Sequence, residues 1–274
     1  MVDLRRTTAA GSGREDGRMD TRYPDLDGKV AVVTGGSRGI GAETARALAH
    51  HGARVLVTGR DAAALDEMVA ELRFDGAKAH GVVADGTDYA AVERTRAVAE
   101  AELGPVDVLI AFVGDGRARP GLLHETSIDD WHSTVDGSLT ATFLSLKAFL
   151  PGMAERGRGS IVTMSSLAGR LAATGAPAPY SAAKAGVVML TREVAAQYGP
   201  HGVRANCVAP STVLTERTER HMPAEYRERM AAQHPLGRLG IPADVASAAL
   251  FLASDASAWL TGITIDVAGG RFMN

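Results

Sequence analysis

From residue 29 onward the chain alternates short runs rich in β-branched residues with longer helical stretches, and no other feature narrows the possible folds as far. KVAVVT at 29–34, ARVLVT at 53–58, KAHGVVA at 78–84, VDVLIAFV at 106–113, SIVTM at 160–164, and the runs at 203–208 and 263–267 read as strands. The first is apolar almost throughout, as a strand covered on both faces is. Between the strands, 42–50, 62–73, 89–103, 128–153 and 180–198 read as helices, as does 242–252 with Pro242 at its first position. The segment 211–234 is polar and helix-prone. This order implies a parallel α/β sheet covered by helices on both faces, with right-handed crossovers. No Pro- or Ser-rich linker divides the chain after residue 25 and no repeat of solenoid period occurs, so 25–274 is expected as one domain.

The turn after the first strand, TGGSRGIG at 34–41, is where such a sheet takes a ligand. Gly35, Gly39 and Gly41 allow a tight turn, close backbone approach and helix–strand packing, with Ser37, Arg38 and Ile40 between them. The helix that follows offers unpaired N–H groups and the positive end of its dipole to a pyrophosphate. Strand two closes on Thr58, Gly59 and Arg60. An NAD site places an acid there to hold the ribose 2′-OH. Here that position is Gly59, and Arg38 and Arg60 are at hand for a 2′-phosphate. Asp61 is a late acid that argues the other way. NADP(H) is therefore expected over NAD(H).

A second signal lies in SSLAGRLAATGAPAPYSAAKAG at 165–186. Tyr180 and Lys184, four residues apart, share one face of a helix. A free Tyr, with a pKa of about 10, exchanges protons poorly at working pH, and a neighbouring ammonium favours its phenolate. Ser166, fourteen residues before Tyr180, falls where strand five ends. A hydroxyl, a tunable phenol and a fixed cation together polarise a carbonyl and pass it a proton. Alone, the spacing is that of an ordinary helical pair; its weight comes from the turn at 34–41 and from the strand–helix alternation.

Other function classes are disfavoured by what the chain lacks. The net charge is −3, with no basic stripe interleaved with aromatics, so nucleic acid is not expected as a partner. The eight histidines are scattered without metal-ligand spacing, and no metal is expected. Cys207, the single cysteine, lies in the apolar run VRANCVA and is expected as a small buried residue. No run of about twenty apolar residues occurs, so no membrane span is expected. Arg5 and Arg6 are followed by no apolar segment, which argues against an export signal. Residues 1–24, rich in Gly, Arg and Asp, are expected as a disordered tail, with Met19 an alternative start. The cytoplasm is the expected compartment.

Occurring together in this order, these motifs resemble the short-chain dehydrogenase/reductase family, in particular its 3-oxoacyl-carrier-protein reductase-like members, over about residues 26–272. The resemblance implies a single Rossmann-type, doubly wound domain with a seven-stranded sheet in the order 3-2-1-4-5-6-7. It implies Tyr180 as catalytic acid/base, Ser166 as the group that orients and polarises the carbonyl, and Lys184 as the residue that binds the nicotinamide ribose and lowers the Tyr180 pKa. It places Asp85, with Gly86, at the adenine, and Pro210, Val213 and Thr215 at the carboxamide. It makes 211–235, with Met222, Tyr226 and Met230, the substrate lid. Helices at about 131–152 and 180–198 would pair subunits into a homodimer or homotetramer.

The chain also departs from the family pattern. Where the family has Asn-Asn-Ala-Gly after strand four, AFVG stands at 111–114 and only Gly114 is kept. The family's catalytic Asn, seven residues after a Trp, is Ser138 counted from Trp131. A Ser is shorter than Asn and has a single donor. The usual Pro-Gly after strand six is Pro210-Ser211, and the terminal Asp-Gly-Gly reads DVAGG at 266–270. The function implied is an NADP(H)-dependent oxidoreductase interconverting a ketone and a secondary alcohol. Two alternatives stand beside it: a dinucleotide-binding subunit with little catalysis, and the same scaffold performing dehydration or epimerisation. The loop 171–179 and the lid are expected to line the pocket. Their small and apolar residues suit an uncharged or weakly polar carbonyl compound, with Arg170, Arg217 and Arg220 as surface charges.

Overall fold

The computed structural model describes residues 22–114, 118–172 and 175–273. Seven strands, β1 (Val30–Thr34), β2 (Arg54–Gly59), β3 (Ala79–Val83), β4 (Val108–Ala111), β5 (Gly159–Met164), β6 (Val203–Pro210) and β7 (Thr264–Val267), form one sheet. Their order is β3-β2-β1-β4-β5-β6-β7, and every neighbouring pair runs parallel. The doubly wound order expected from the sequence is the order observed.

Successive side chains of a strand point to opposite faces, and here each face has its own core. Ala31 and Val33 of β1 pack into the cluster formed with α1 (Gly39–His50), α2 (Ala62–Phe74) and α9 (Pro242–Ala253). Val30 and Val32 pack into the one formed with α3 (Tyr89–Glu102), α5 (Ala141–Glu155) and α6 (Ala178–Tyr198). All four are 0% exposed. Each such Val stabilises the fold by roughly 1.5–3 kcal/mol relative to an exposed one. That is why β1 reads as an unbroken apolar run. β3, at the sheet edge, alternates instead, and its Val83 is 55% exposed.

The helix expected over 128–153 is divided. α4 (Ile128–Val135) runs into a π turn at Asp136–Thr140 before α5 begins. Hydroxyls compete for backbone acceptors there: Thr142 Oγ1 donates to the Ser138 carbonyl at 2.8 Å and Ser145 Oγ to that of Ala141 at 3.0 Å. The polar segment after β6 forms two short helices, α7 (Glu216–His221), capped by Thr215, and α8 (Ala224–Ala231), which starts after Pro223. Of the expected tail, residues 1–21 lie outside the described residues. The ordered fold reaches back to Tyr23, whose ring centroid is 5.5 Å from that of His51, and Leu26 is fully buried. Among the described residues no helix is long and apolar enough to cross a membrane.

Candidate active site

β5 ends at Met164, and the chain leaves it through Ser165 and Ser166 toward α6. Ser165 Oγ donates to the Lys184 carbonyl at 2.7 Å, tying the strand end to the helix. Ser166 is extended, and its Oγ accepts from the Ala168 N–H at 3.2 Å, capping a single 3₁₀ turn over Leu167–Gly169. That turn lies against the α6 backbone so closely that a Cβ on Gly169 would stand 2.6 Å from the Lys184 carbonyl carbon. Only glycine allows this approach, and Ser166, which caps the turn, lines the same cleft as Tyr180. One turn along α6, Lys184 is 2% exposed. Its Nζ donates to the Met164 carbonyl at 2.8 Å and lies 5.8 Å from the Tyr180 ring centroid.

Burial dominates the charges of this group. It raises the Tyr180 phenol above its ordinary value, and the nearby Ser166 hydroxyl draws it back in part. Burial also lowers Lys184 to about 8, while the neighbouring Cys207 acts in the opposite sense. The Tyr–Lys spacing alone anticipates a lowered phenol; the folded chain without cofactor has a raised one. The reason is that the Lys184 ammonium is spent on the Met164 carbonyl rather than on the phenol oxygen, and the phenolate loses its hydration. Cys207 is fully buried, as its apolar setting implies.

The turn at 34–41 forms a cradle of bare backbone. A Cβ on Gly41 would collide with the Gly35 carbonyl, and one on Gly36 with the Val57 side chain. Gly35 and Gly39 both have positive φ, 66° and 57°. Gly39 faces Thr215, with 3.4 Å between an added Cβ and the Thr215 methyl, so the start of α1 meets the segment after β6. Gly114 presents no side chain to Lys184, whose Nζ would lie 3.0 Å from a Cβ placed there. These positions leave open backbone where a dinucleotide's phosphates and ribose lie in this fold, so the residues present fit such a group. At the adenosine end, Arg38 Nη2 contacts Asp61 Oδ2 at 2.8 Å, and the other oxygen of Asp61 accepts from Ala64 N–H at 3.2 Å to cap α2. The ion pair raises Arg38 and lowers Asp61 from their ordinary values. Arg60 is exposed at the end of β2. Asp85 is exposed after β3, where its Oδ1 accepts from the Thr87 N–H and hydroxyl at 2.9 and 2.7 Å. Gly86 lies against Val113.

A cleft of about 500 Å³ joins the two halves. Ile40, Gly114, Ser166, Tyr180, Pro210, Val213 and Thr215, all singled out in the sequence, line it together. Lys184 and Ser138, both buried, do not line it. Ser138 is 0% exposed within the π turn, and its hydroxyl has no hydrogen-bond partner among the described residues. The lid contributes differently from expectation. Arg217 and Thr218 reach the cleft, whereas Met222 and Tyr226 line a separate depression and Met230 is buried. Of the loop 171–179, Ala176 and Pro177 line the cleft, while residues 173 and 174 lie outside the described residues. Arg170 is no surface charge. It pairs with Asp266 through two contacts of 3.1 Å, with the two side chains 15% and 14% exposed. Arg271, three residues before Asn274, also lines the cleft. Nothing in its local sequence announces this, because the contact depends on how the last strand returns beside β6.

The chain is similar to known proteins along nearly its whole length. The family described as enoyl-(acyl carrier protein) reductase matches residues 35–271. A cis-4-hydroxycyclohexanecarboxylate dehydrogenase of Sinomonas cyclohexanicum is 41% identical over 88% of this chain and 96% of its own. A gluconate 5-dehydrogenase of Gluconobacter oxydans is 39% identical over 90% and 97%. The 3-oxoacyl-[acyl-carrier-protein] reductase of Escherichia coli is 36% identical over 91% and 99%. The crystal structure of gox2181 superposes with a TM-score of 0.86 at 35% identity, covering 90% of this chain and 98% of that one. The chain belongs to the short-chain dehydrogenase/reductase family. These relatives are oxidoreductases acting on alcohols or the corresponding carbonyls, and the family's cofactor is a nicotinamide dinucleotide.

Proposed function

We propose that this protein is an NADP(H)-dependent oxidoreductase that interconverts a secondary alcohol and a ketone through Ser166, Tyr180 and Lys184. The observation that carries the reading is that Ser166 and Tyr180 line one cleft with Ile40 of the glycine turn and with Gly114, while the buried Lys184 lies one helical turn on from Tyr180. A bound nicotinamide supplies the acceptor or donor of the hydride at its C4. In the oxidation direction the carbinol C–H bond breaks with its electron pair leaving as hydride, and the hydroxyl proton passes to the Tyr180 oxygen. In reduction Tyr180 returns that proton to the oxygen. Ser166 holds the substrate oxygen beside the phenol. Lys184 places a cation near the phenol, where it favours the phenolate. The Ser138 hydroxyl, buried without a partner among the described residues, serves the proton path behind Lys184 in place of the family's Asn.

The choice of NADP(H) rests on Gly59. A Cβ there would stand 2.5 Å from the Ser37 hydroxyl, so the acid that holds a 2′-OH in NAD enzymes has no room. Asp61 has both oxygens engaged, one with Arg38 and one with the α2 N-terminus. A 2′-phosphate draws Arg38 into a shared contact, with Arg60 beside it. The same reading places the enzyme in the cytoplasm as a dimer or tetramer through α5 and α6, whose outer faces expose Phe143 at 45% and Met189 at 53%. Light scattering checks the oligomer.

The deciding experiment assays wild type and Tyr180→Phe with NADP(H) and NAD(H). The substrates are gluconate, cis-4-hydroxycyclohexanecarboxylate and a 3-oxoacyl thioester. Wild type turns over at least one of these, and Tyr180→Phe loses on the order of 10³-fold in kcat while binding cofactor as before. Retained turnover in the variant removes Tyr180 from its role, and a higher kcat/KM with NAD(H) overturns the cofactor assignment.

A further inference from the structure

The charged lining of the cleft is one-sided. Arg217 and Arg271 contribute to it, and among the described residues no Asp or Glu does. The rest is small, apolar or hydroxyl-bearing, as Ala118, Leu167, Pro177 and Thr212 illustrate. Arg271 is partly buried, yet its guanidinium makes no hydrogen bond or ion pair with any described residue. Arg170, which lies over the ring of the adjacent Phe272, shows what this fold does with a guanidinium it needs for support: it gives that group a bidentate carboxylate. A partly desolvated guanidinium without a counter-ion costs stability. Arg271, with no such partner among the described residues, lines the same cleft as Tyr180.

Its position is built. β7 passes into a turn at Gly269 and Gly270, with φ of 55° and 83°, and the Arg271 N–H donates to the Ala268 carbonyl at 2.9 Å. Gly270 packs on Pro235, where a Cβ would stand 2.8 Å from the ring. The next residue, Phe272, lies under the Arg170 guanidinium at 5.5 Å, and Arg170 is itself held by Asp266. The C-terminal segment is thereby clamped on both sides of Arg271. Tyr180 and Arg271 line one cleft of about 500 Å³, within the size range of small-molecule sites.

We infer that the substrate is a small hydroxy or keto acid whose carboxylate is received by Arg271 while its carbinol or carbonyl carbon lies beside Tyr180. The planar fork of a guanidinium matches a carboxylate in a bidentate pair. This inference rests on the oxidoreductase reading of the cleft, and it replaces the uncharged substrate that the small and apolar loop residues alone suggest.

The test compares kcat/KM for the two hydroxy carboxylates named above with that for their primary amides, in wild type, Arg271→Lys and Arg271→Leu. Wild type prefers acid over amide by about 10- to 100-fold, the range of a hydrogen bond to a charged group. The preference collapses toward unity in Arg271→Leu, mainly through KM, and survives in part in Arg271→Lys. An amide used as well as the acid by wild type overturns the inference, as does an equal loss for both compounds in Arg271→Leu. A weakened NADP+ affinity in Arg271→Leu, read by fluorescence quenching, also overturns it, since the residue then serves the cofactor. Tyr180-dependent turnover of the 3-oxoacyl thioester with neither acid used refutes the inference and leaves the oxidoreductase reading standing. No turnover of any compound refutes both.

Discussion

Replacing Lys184 with Met should abolish turnover and, at neutral pH, stabilise the cofactor-free fold. Lys184 is 2% exposed, and burial lowers it from an ordinary 10.5 to about 8. At about 1.4 kcal/mol per pH unit, the folded state is destabilised by roughly 3 kcal/mol wherever the group is protonated in both states. Met fills a similar volume without a charge. It cannot donate to the Met164 carbonyl, and that lost partner costs about 1 kcal/mol. The net gain near pH 7 is then roughly 2 kcal/mol, or about 5 °C in Tm for a chain of this size. The sign reverses with pH. Between about 8 and 10.5 the unfolded wild type holds a proton that the folded wild type has released, so wild-type stability rises with pH across that window and the variant's advantage disappears. The raised Tyr180 phenol lowers stability above pH 10 in both proteins and cancels in the difference. Urea denaturation of both proteins from pH 6.5 to 10.5 reads this directly. A variant less stable than wild type at pH 7, or a gap that does not shrink with pH, refutes the account of Lys184 as a strained buried ammonium.

Other perturbations probe the remaining parts. Gly41→Ala drives a methyl into the Gly35 carbonyl, and titration should show cofactor affinity weakened at least 10-fold with secondary structure retained. Asp266→Ala leaves the buried Arg170 uncompensated and should cost about 3 kcal/mol in urea denaturation, a loss absent from the double variant Asp266→Leu/Arg170→Met. Ser138→Ala removes an unpartnered buried hydroxyl, so stability should stay equal or rise by about 1 kcal/mol, while the pH–rate profile shifts. An unchanged profile in both Ser138→Ala and Ser138→Asn takes Ser138 out of the proton path. Arg38→Leu should lower the NADP-to-NAD ratio of kcat/KM by about 10-fold, measured at one ionic strength because the pair is exposed.

A few neighbouring residues encode much of this fold. The seven strands follow from apolar runs such as VAVVT, whose alternate side chains must be covered on both faces. The glycine turn follows from backbone positions that admit no side chain, and the sharing of one helix face by Tyr180 and Lys184 from the helical repeat. Tertiary structure decided what depends on residues far apart in the chain. The break in the long helix at Asp136–Thr140 falls on DGSLT, whose Asp, Gly, Ser and Thr are weak helix formers, but propensity alone does not say whether such a run stays α-helical, bends or widens into a π turn. Arg170 became an internal ion pair only because Asp266, 96 residues later, arrives beside it on β7. The states of Tyr180 and Lys184 were set by burial, which no spacing reports. Arg271 entered the cleft because the last strand returns next to β6 and its turn packs on Pro235. Local periodicity and residue chemistry act over one or two helical turns. Desolvation and long-range contact exist only once the chain has closed on itself, and they decide the charge of the site and where a substrate's own charge can be received.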